Sequence, residues 1–154
     1  IAAQAAAIAG VSKVKTIANA ANGNALAAVY TPQVLSAASG YSHIFGPSTT
    51  FGKDLMPRIA AKLGVSQVSD IMAIDDAYTF KRPIYAGNAI VTVKAPADKP
   101  VVATVRTASF PAAGGGGAAA IEALSVNADL PTHTRFVGLQ QGGGDRPDLQ
   151  TARI

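Results

Sequence analysis

The segment HIFGPSTTFGKDLMPRIAAKLG, residues 43–64, constrains the fold more than any other part of this 154-residue chain. A short apolar strand pattern runs through a polar loop into a helix pattern, in which Leu55, Ile59 and Leu63 recur four apart on one face. Proline is tolerated in the first turn of a helix, so Pro57 is predicted to lie there. A strand that leads directly into an amphipathic helix is typical of parallel α/β folds.

The preceding part of the chain repeats the same alternation of helix and strand. Ala-rich residues 1–9 predict a helix, and KVKTIANA, residues 13–20, predicts a short strand. A second helix is predicted with Thr31 as its N-cap, Pro32 at its first position and Gly40 as its terminator. Helices that alternate with strands predict parallel strands joined by crossover helices.

The pattern changes after Gly64, where strand-like runs follow one another without a helix between them. They are VSDIMAID at 68–75, TFKRPIYAGNAIVTVKA at 79–95 and KPVVATVRTASF at 99–110. Turn residues separate these runs, so we expect antiparallel strands from about residue 68 onward. The sequence therefore predicts an α/β fold of three layers: a parallel sheet flanked by helices and extended by antiparallel strands in its C-terminal half.

The last third of the chain is rich in glycine and has weaker patterns. The run of glycine and alanine at 112–119 is expected to be poorly ordered, because ordering glycine costs much backbone entropy. THTRFVGLQ, residues 132–140, is a candidate strand, and GGGDRPD, residues 142–148, is a candidate linker. We therefore divide the chain into an α/β domain, residues 1–130, and a strand with a linker, residues 131–154.

Composition excludes several classes of function. The net charge of +4 comes from 13 basic and 9 acidic residues that are scattered along the chain, which argues against a nucleic-acid partner. The chain has no cysteine, so it has neither disulfides nor a cysteine-based metal site. Since no apolar run approaches the roughly 20 residues that a membrane helix needs, no membrane insertion is expected.

The loop between the strand and the helix at 46–54 resembles a phosphate-binding loop only superficially. A P-loop has four residues between its two glycines and then Lys and Ser or Thr, whereas five residues separate Gly46 from Gly52, and Lys53 is followed by Asp54. Pro47 also removes one amide donor from the loop. We interpret the loop as a turn with hydroxyl caps, and an anion site at the helix N-terminus remains the alternative.

Other candidate chemistry in the sequence is sparse. His43 and His133 are far apart and have no acidic partners at the spacing of a metal site. The adjacent residues Asp75 and Asp76 would point to opposite faces of a strand, so a turn role is expected for them. Residues 48–50 lack the G-x-S-x-G pattern of a nucleophile elbow. The sequence predicts no catalytic residue and no metal ligand.

Four blocks of this chain together resemble the alpha subunit of electron transfer flavoprotein. They are FGKDLMPRIAAKLGVSQVSDI at 51–71, TFKRPIYAGNAIVTV at 79–93, VRTASF at 105–110 and DRPDLQTARI at 145–154. The strings FGK.L.PR.AAKL and F.RPIYAGNA are specific, and the order and spacing of the blocks match along about 110 residues.

The resemblance implies a heterodimer of alpha and beta subunits that carries one FAD. The flavin would take electrons from acyl-CoA dehydrogenases of fatty acid β-oxidation and related dehydrogenases, and pass them to a membrane quinone oxidoreductase. The compartment would be the mitochondrial matrix or the bacterial cytoplasm. The resemblance further implies that the family's first strand is missing from this chain and that the FAD-binding domain would begin just beyond residue 154.

The flavin-binding residues of the family belong to that absent half, so the resemblance assigns no cofactor-binding residue to this chain. It implies a scaffold that packs against the beta subunit. Arg82, Tyr85 and Asn88 in RPIYAGNA are the candidate interface residues, because Arg and Tyr are enriched at interfaces and a tight turn can hold them in place. The alternative function is a stand-alone nucleotide- or phosphate-binding domain that uses the loop at 46–54.

Overall fold

The structure, a computed structural model, describes residues 1–140. In this part of the chain, three α-helices and eight strands alternate at first and then give way to consecutive strands. The helices are α1 (Ala2–Ala6), α2 (Ala27–Ala37) and α3 (Thr50–Leu63). The strands are β1 (Lys13–Thr16), β2 (His43–Pro47), β3 (Gln67–Ile71), β4 (Ala73–Ile74), β5 (Thr79–Ile84), β6 (Ala89–Lys94), β7 (Val101–Val105) and β8 (Ala120–Ala123).

The centre of the fold is a parallel sheet with the strand order β2-β7-β3. Strand β7 carries side chains to both faces of this sheet, and its residues Val101 to Thr104 are buried. Val102 packs against Met56 and Ile59 of α3, while Val101 and Ala103 pack in a second cluster with Phe80 of β5. A strand that is apolar on both faces is typical of a sheet covered on both sides.

The second face of the parallel sheet is covered by an antiparallel sheet of order β4-β5-β6. The predicted α/β class, with parallel strands, helices and an antiparallel part, is confirmed. Antiparallel strands β4, β5 and β6 do follow residue 68, but β7 returns to the central sheet and pairs in parallel with β2 and β3. Residues 68–110 contain no α-helix, and turn residues alone do not reveal that the chain returns to the central sheet within this stretch.

Both interior prolines lie deeper in their helices than the sequence predicts. Helix α2 begins at Ala27, so the expectation that Thr31 is the N-cap is wrong. The buried Thr31 hydroxyl donates to the Ala27 carbonyl, at 2.7 Å. Pro57 lies in the middle of α3 rather than in its first turn. Burial of Ala27 and Met56 favours the longer helices despite the amide donors that Pro32 and Pro57 lack.

A parallel pair of strands, β1 and β8, lies beside α1. The expected disorder of residues 112–119 is wrong, since backbone hydrogen bonds tie this segment to α1 and to the turn that follows it. Gly117 N donates to Ala7 O at 3.0 Å, and Ala9 N donates to Gly114 O at 2.8 Å. The glycines here allow close approach of two backbones. An added Cβ at Gly117 would lie 2.1 Å from Ile8 O, whereas one at Gly114 would meet nothing within 4 Å.

The candidate strand at 132–140 is not formed, since no strand follows Ala123 within residues 1–140. This stretch contains several exposed apolar side chains, Phe136, Val137 and Leu139 among them. The predicted linker at 142–148 and the family block at 145–154 lie outside the described residues.

We expect Gly117→Ala to destabilise the β1–β8 pair, because the new methyl group collides with the Ile8 carbonyl. Overpacking of this kind costs about 2 kcal/mol, and urea unfolding together with hydrogen exchange of the β1 and β8 amides measures it. Gly114→Ala in the same run is the matched control and should be neutral or slightly stabilising. Equal effects of the two substitutions would contradict the close backbone contact.

Candidate functional site

A β-bulge at Asp70 interrupts the pairing of β3 with β7. The register shifts between Val68 and Ile71, and Asp70 adopts a left-handed conformation with a φ of 59°. Such a conformation is uncommon outside glycine, although Asp and Asn adopt it more easily than most residues. The Asp70 amide donates to the buried Thr104 hydroxyl at 2.8 Å, which holds the bulge against β7.

Asp70 also forms the one ion pair described at this edge of the parallel sheet. Arg106 Nη2 and Nε donate to Asp70 Oδ2 at 2.8 and 3.2 Å. Burial raises the pKa of Asp70, but the hydrogen bond and charge of Arg106, helped by Ser48 and Lys53, lower it below its usual value. The Ser48 hydroxyl oxygen is buried and has no regular hydrogen-bond partner among the described residues.

The position of this ion pair bears on the phosphate-binding alternative. Ligands of α/β folds usually bind beyond the carboxyl ends of the strands, and here β2, β3 and β7 all end at this edge. The negative charge of Asp70 lies where Arg106 and Lys53 would have to attract an anion. The carboxylate of Asp70 therefore neutralises the positive charge at this edge, which makes the edge a poor phosphate site.

The loop at 46–54 uses its glycines for packing. An added Cβ at Gly52 would lie 1.9 Å from Pro47 O, and one at Gly46 would lie 2.7 Å from the Met56 sulfur. Its amides are also engaged: Gly52 N donates to the N-cap Thr49 Oγ1 at 3.2 Å, and Ser48 N donates to a β7 carbonyl at 2.8 Å. This arrangement is a capped turn, as the sequence predicts, rather than an open cradle of amides.

The two histidines are separated, as expected. His43 Nε2 lies 2.6 Å from Ala77 O, and its Nδ1 lies 2.8 Å from Ser42 Oγ. Because a carbonyl only accepts, Nε2 carries the proton, and in the neutral ring Nδ1 accepts from the Ser42 hydroxyl. His133 lies at a bend in the irregular C-terminal part of the described chain. Within residues 1–140, no group of three His, Cys, Asp or Glu residues is arranged to hold a metal ion.

The adjacent aspartates have the predicted turn role. Asp76 Oδ1 accepts from Tyr78 N at 2.7 Å in the turn between β4 and β5. Asp75 pairs with Lys81 of β5 at 3.4 Å. Both carboxylates therefore stabilise the start of the antiparallel sheet, and they do not form an acid and base pair.

The three candidate interface residues have different positions in the β5–β6 hairpin. Arg82 is half-buried, and its Nε donates to Ser69 O beside the bulge at 2.7 Å, so it connects the hairpin to the central sheet. Tyr85 lies at the hairpin tip and is 79% exposed. Asn88 closes the tip, since its backbone and side-chain nitrogens both donate to Tyr85 O, at 3.1 and 2.8 Å.

The tip that carries Tyr85 has a strained backbone. Tyr85, Ala86 and Gly87 have successive φ values of 49°, 55° and 93°. Left-handed conformations cost non-glycine residues roughly 1–2 kcal/mol each, and such strain is concentrated at functional positions. Ile90, which pairs with Pro83 just below the tip, is 59% exposed. The hairpin therefore presents an aromatic and an aliphatic side chain to solvent.

Comparison with known proteins gives one family and several relatives. The model of the electron transfer flavoprotein domain matches residues 1–129. The electron transfer flavoprotein subunit alpha of Paracoccus denitrificans is 47% identical over 97% of this chain and 48% of its own length. That of Pseudomonas aeruginosa is 45% identical over 100% of the chain and 50% of its own length. The mitochondrial alpha subunit of Dictyostelium discoideum is 39% identical over 96% of the chain.

The chain thus spans about half the length of these relatives. Of the helices within residues 1–140, none is long and apolar enough to cross a membrane. The relatives include bacterial proteins and proteins whose names place them in mitochondria.

We expect Asp70→Asn to lower the free energy of unfolding at pH 7 by about 1 kcal/mol, the scale of a partly exposed, charge-assisted pair. Asparagine also tolerates the left-handed conformation, so the substitution isolates the charge. Because the pKa of Asp70 is lower in the folded protein, its stabilisation is complete above the unfolded pKa of about 4. That stabilisation disappears as the pH falls through the folded pKa.

Urea unfolding at pH 7 and at pH 2.5 measures this dependence. The difference between the wild type and Asp70→Asn should shrink at the lower pH. Asp98→Asn removes the same charge from an exposed turn residue without an ion pair among residues 1–140, and it is the control. A difference that stays constant with pH would exclude the ion pair as its source.

Proposed function

This chain belongs to the electron transfer flavoprotein family, and we propose that it is the scaffold half of an alpha subunit whose complete form carries FAD. The observation that supports this most directly is the match along the whole chain to about half of each alpha subunit named above. As such a scaffold, the protein is an electron carrier subunit rather than an enzyme. Residues 1–130 form the α/β scaffold, and residues 131–154 lead to the FAD-binding domain.

In the complete protein, we propose that FAD accepts electrons from acyl-CoA dehydrogenases and related dehydrogenases and passes them to a membrane quinone oxidoreductase. The compartment is the mitochondrial matrix or the bacterial cytoplasm, in keeping with the names of the relatives. A flavin's potential is tuned by charges and hydrogen-bond donors near its ring nitrogens. Arg82 of the hairpin donates to Ser69 O, and Arg106 at the sheet edge donates to Asp70. Both cations are therefore bound within the chain and not offered to a flavin.

Two unpaired strand edges support a further proposal about the complete domain. Among the described residues, β1 pairs only with β8 and β2 pairs only with β7, so each has one free edge. Tyr41 lies just before β2, and the Lys15 Nζ of β1 lies 4.9 Å from the centroid of its ring. We propose that another strand of the complete domain, outside residues 1–140, lies between β1 and β2 and joins the two parallel sheets.

For the partner interface, we propose that Tyr85 and Ile90 at the hairpin tip contact the beta subunit. An exposed tyrosine on a rigid turn loses little entropy on binding, and Tyr is enriched among the residues that dominate interface energies. Arg82 contributes indirectly because it holds the hairpin on the bulge, and Asn88 contributes because it closes the turn.

We expect the purified chain of residues 1–154 to be colourless after incubation with FAD and desalting. The complete alpha and beta pair, treated in the same way, should keep a flavin absorbance band and accept electrons. Calorimetric titration with ATP and AMP tests the alternative function in the same preparation. A stoichiometric flavin band on the chain, or micromolar nucleotide binding that Lys53→Ala abolishes, would refute the scaffold assignment.

We expect Tyr85→Ala to weaken association with the beta subunit about tenfold, as for an interface residue of high energy. Titration calorimetry on the complete alpha subunit measures the change. Leu63→Ala is the control, because Leu63 is a large apolar residue that is 37% exposed at the end of α3, away from the hairpin. An unchanged affinity in Tyr85→Ala, with the fold intact by circular dichroism, would exclude the hairpin tip from the interface.

A further inference from the structure

A cavity of about 730 Å³ lies between α2, α3 and the irregular segment that follows β8. On α2 it is lined at positions 28, 31, 32 and 35, and on α3 at positions 58, 61 and 62, which form one stripe on each helix. Its size falls within the range of small-molecule sites. It is separate from the sheet edge at Asp70 and from the hairpin tip.

The floor of the cavity is apolar because apolar side chains line it from both helices. Ala28, Pro32 and Leu35 line it on α2, and Ala61 lines it on α3. Thr31 also lines it, but its hydroxyl proton is already donated to the Ala27 carbonyl. The floor can therefore cover an apolar body and has little to offer a polar one.

Charged side chains and one histidine surround this floor. Arg58 and Lys62 lie one turn apart on α3, and Asp129 and His133 lie on the irregular segment that follows β8. Among the described residues, Asp129 and Lys62 make no ion pair, and Arg58 pairs only with Asp54 of its own helix, at 3.4 Å. The cations of α3 and the carboxylate of Asp129 thus line the same cavity from opposite sides and form no ion pair across it.

We propose that this cavity binds a small organic anion with an apolar body, such as an aromatic or aliphatic sulfonate, carboxylate or phosphate ester. The apolar part lies on the floor between α2 and α3, and the anionic group is held by Arg58 and Lys62. His133 supplies a ring nitrogen that can donate a hydrogen bond to the anion. Asp129 excludes a second negative charge at the opposite wall and accepts a hydrogen bond from a donor on the ligand.

Selectivity for charge follows from the chain's own residues. Of the charged groups that line the cavity, two are cations and one is an anion, and Asp54, which pairs with Arg58, lies outside the lining. An anionic ligand is therefore favoured over a cationic one of the same shape. The cavity is open to water, which screens these charges, and the affinity of a small probe is correspondingly modest. For a ligand of the size of naphthalene sulfonate, a dissociation constant on the order of 1 mM is expected.

Titration of isotopically labelled protein with naphthalene-2-sulfonate, followed by amide chemical shifts, tests the proposal. We expect saturable shifts confined to α2, α3 and residues 129–133. Naphthylmethylammonium, the cationic analogue, should bind at least fivefold more weakly. Shifts centred elsewhere, or equal affinity for the two probes, would overturn the proposal.

Three variants complete the test. Ala61→Leu fills the cavity from an exposed helix position and should abolish binding, whereas Lys62→Gln removes one cation and should weaken sulfonate binding about fivefold. Lys94→Gln is the matched control, since it removes the same charge from an exposed position of β6. If Ala61→Leu leaves the affinity unchanged while circular dichroism shows the native fold, the cavity is not the site.

Discussion

The bulge at Asp70 is the constraint on which the layered arrangement depends. A strand that pairs with β7 in regular register would stay in the central sheet. Here the left-handed residue shifts the register of β3, which still pairs with β7 at Ile71, and the next residue then turns to β5, since Met72 N donates to Lys81 O at 2.8 Å. Three polar contacts hold the bulge in place: those of Thr104, Arg106 and Arg82. The antiparallel sheet is thereby placed over the second face of the parallel one, where Phe80 completes the core.

The sequence predicted the fold class because periodicity and strand-to-helix punctuation are local signals. The sequence-based predictions were wrong where contacts between distant parts of the chain determine the helix boundaries and the strand order. Thr31 and Pro32 are typical helix starters, yet burial of Ala27 and Val29 extends α2 toward its N-terminus. The central position of β7 depends on pairing with β2, far away in the chain. Strand β8 was missed because its four residues are exposed and carry no alternating pattern.

The candidate site shows the same division between local and distant information. The sequence was enough to reject a P-loop at Gly46 and Gly52, and the contacts of those glycines give the physical reason. It also singled out the hairpin at Tyr85. It could not separate the exposed Tyr85 from the inward Arg82, because that difference depends on Ser69, which approaches only when the bulge forms. The Asp70 and Arg106 pair was missed, since nothing in either segment indicates its partner.

The position of β7 has a consequence for the order in which the molecule can assemble during synthesis. Strands β2 and β3 are neighbours in the chain but not in the sheet, and the described strand that pairs with both of them is β7, residues 101–105. Among the described residues, β1 has its strand partner still later in the chain, at residues 120–123. Local helices can form early, whereas sheet formation must await these long-range pairings. A nascent chain shorter than about residue 105 exposes the apolar faces of α3, β2 and β3 together, and this is the stage at which the protein most needs protection from aggregation.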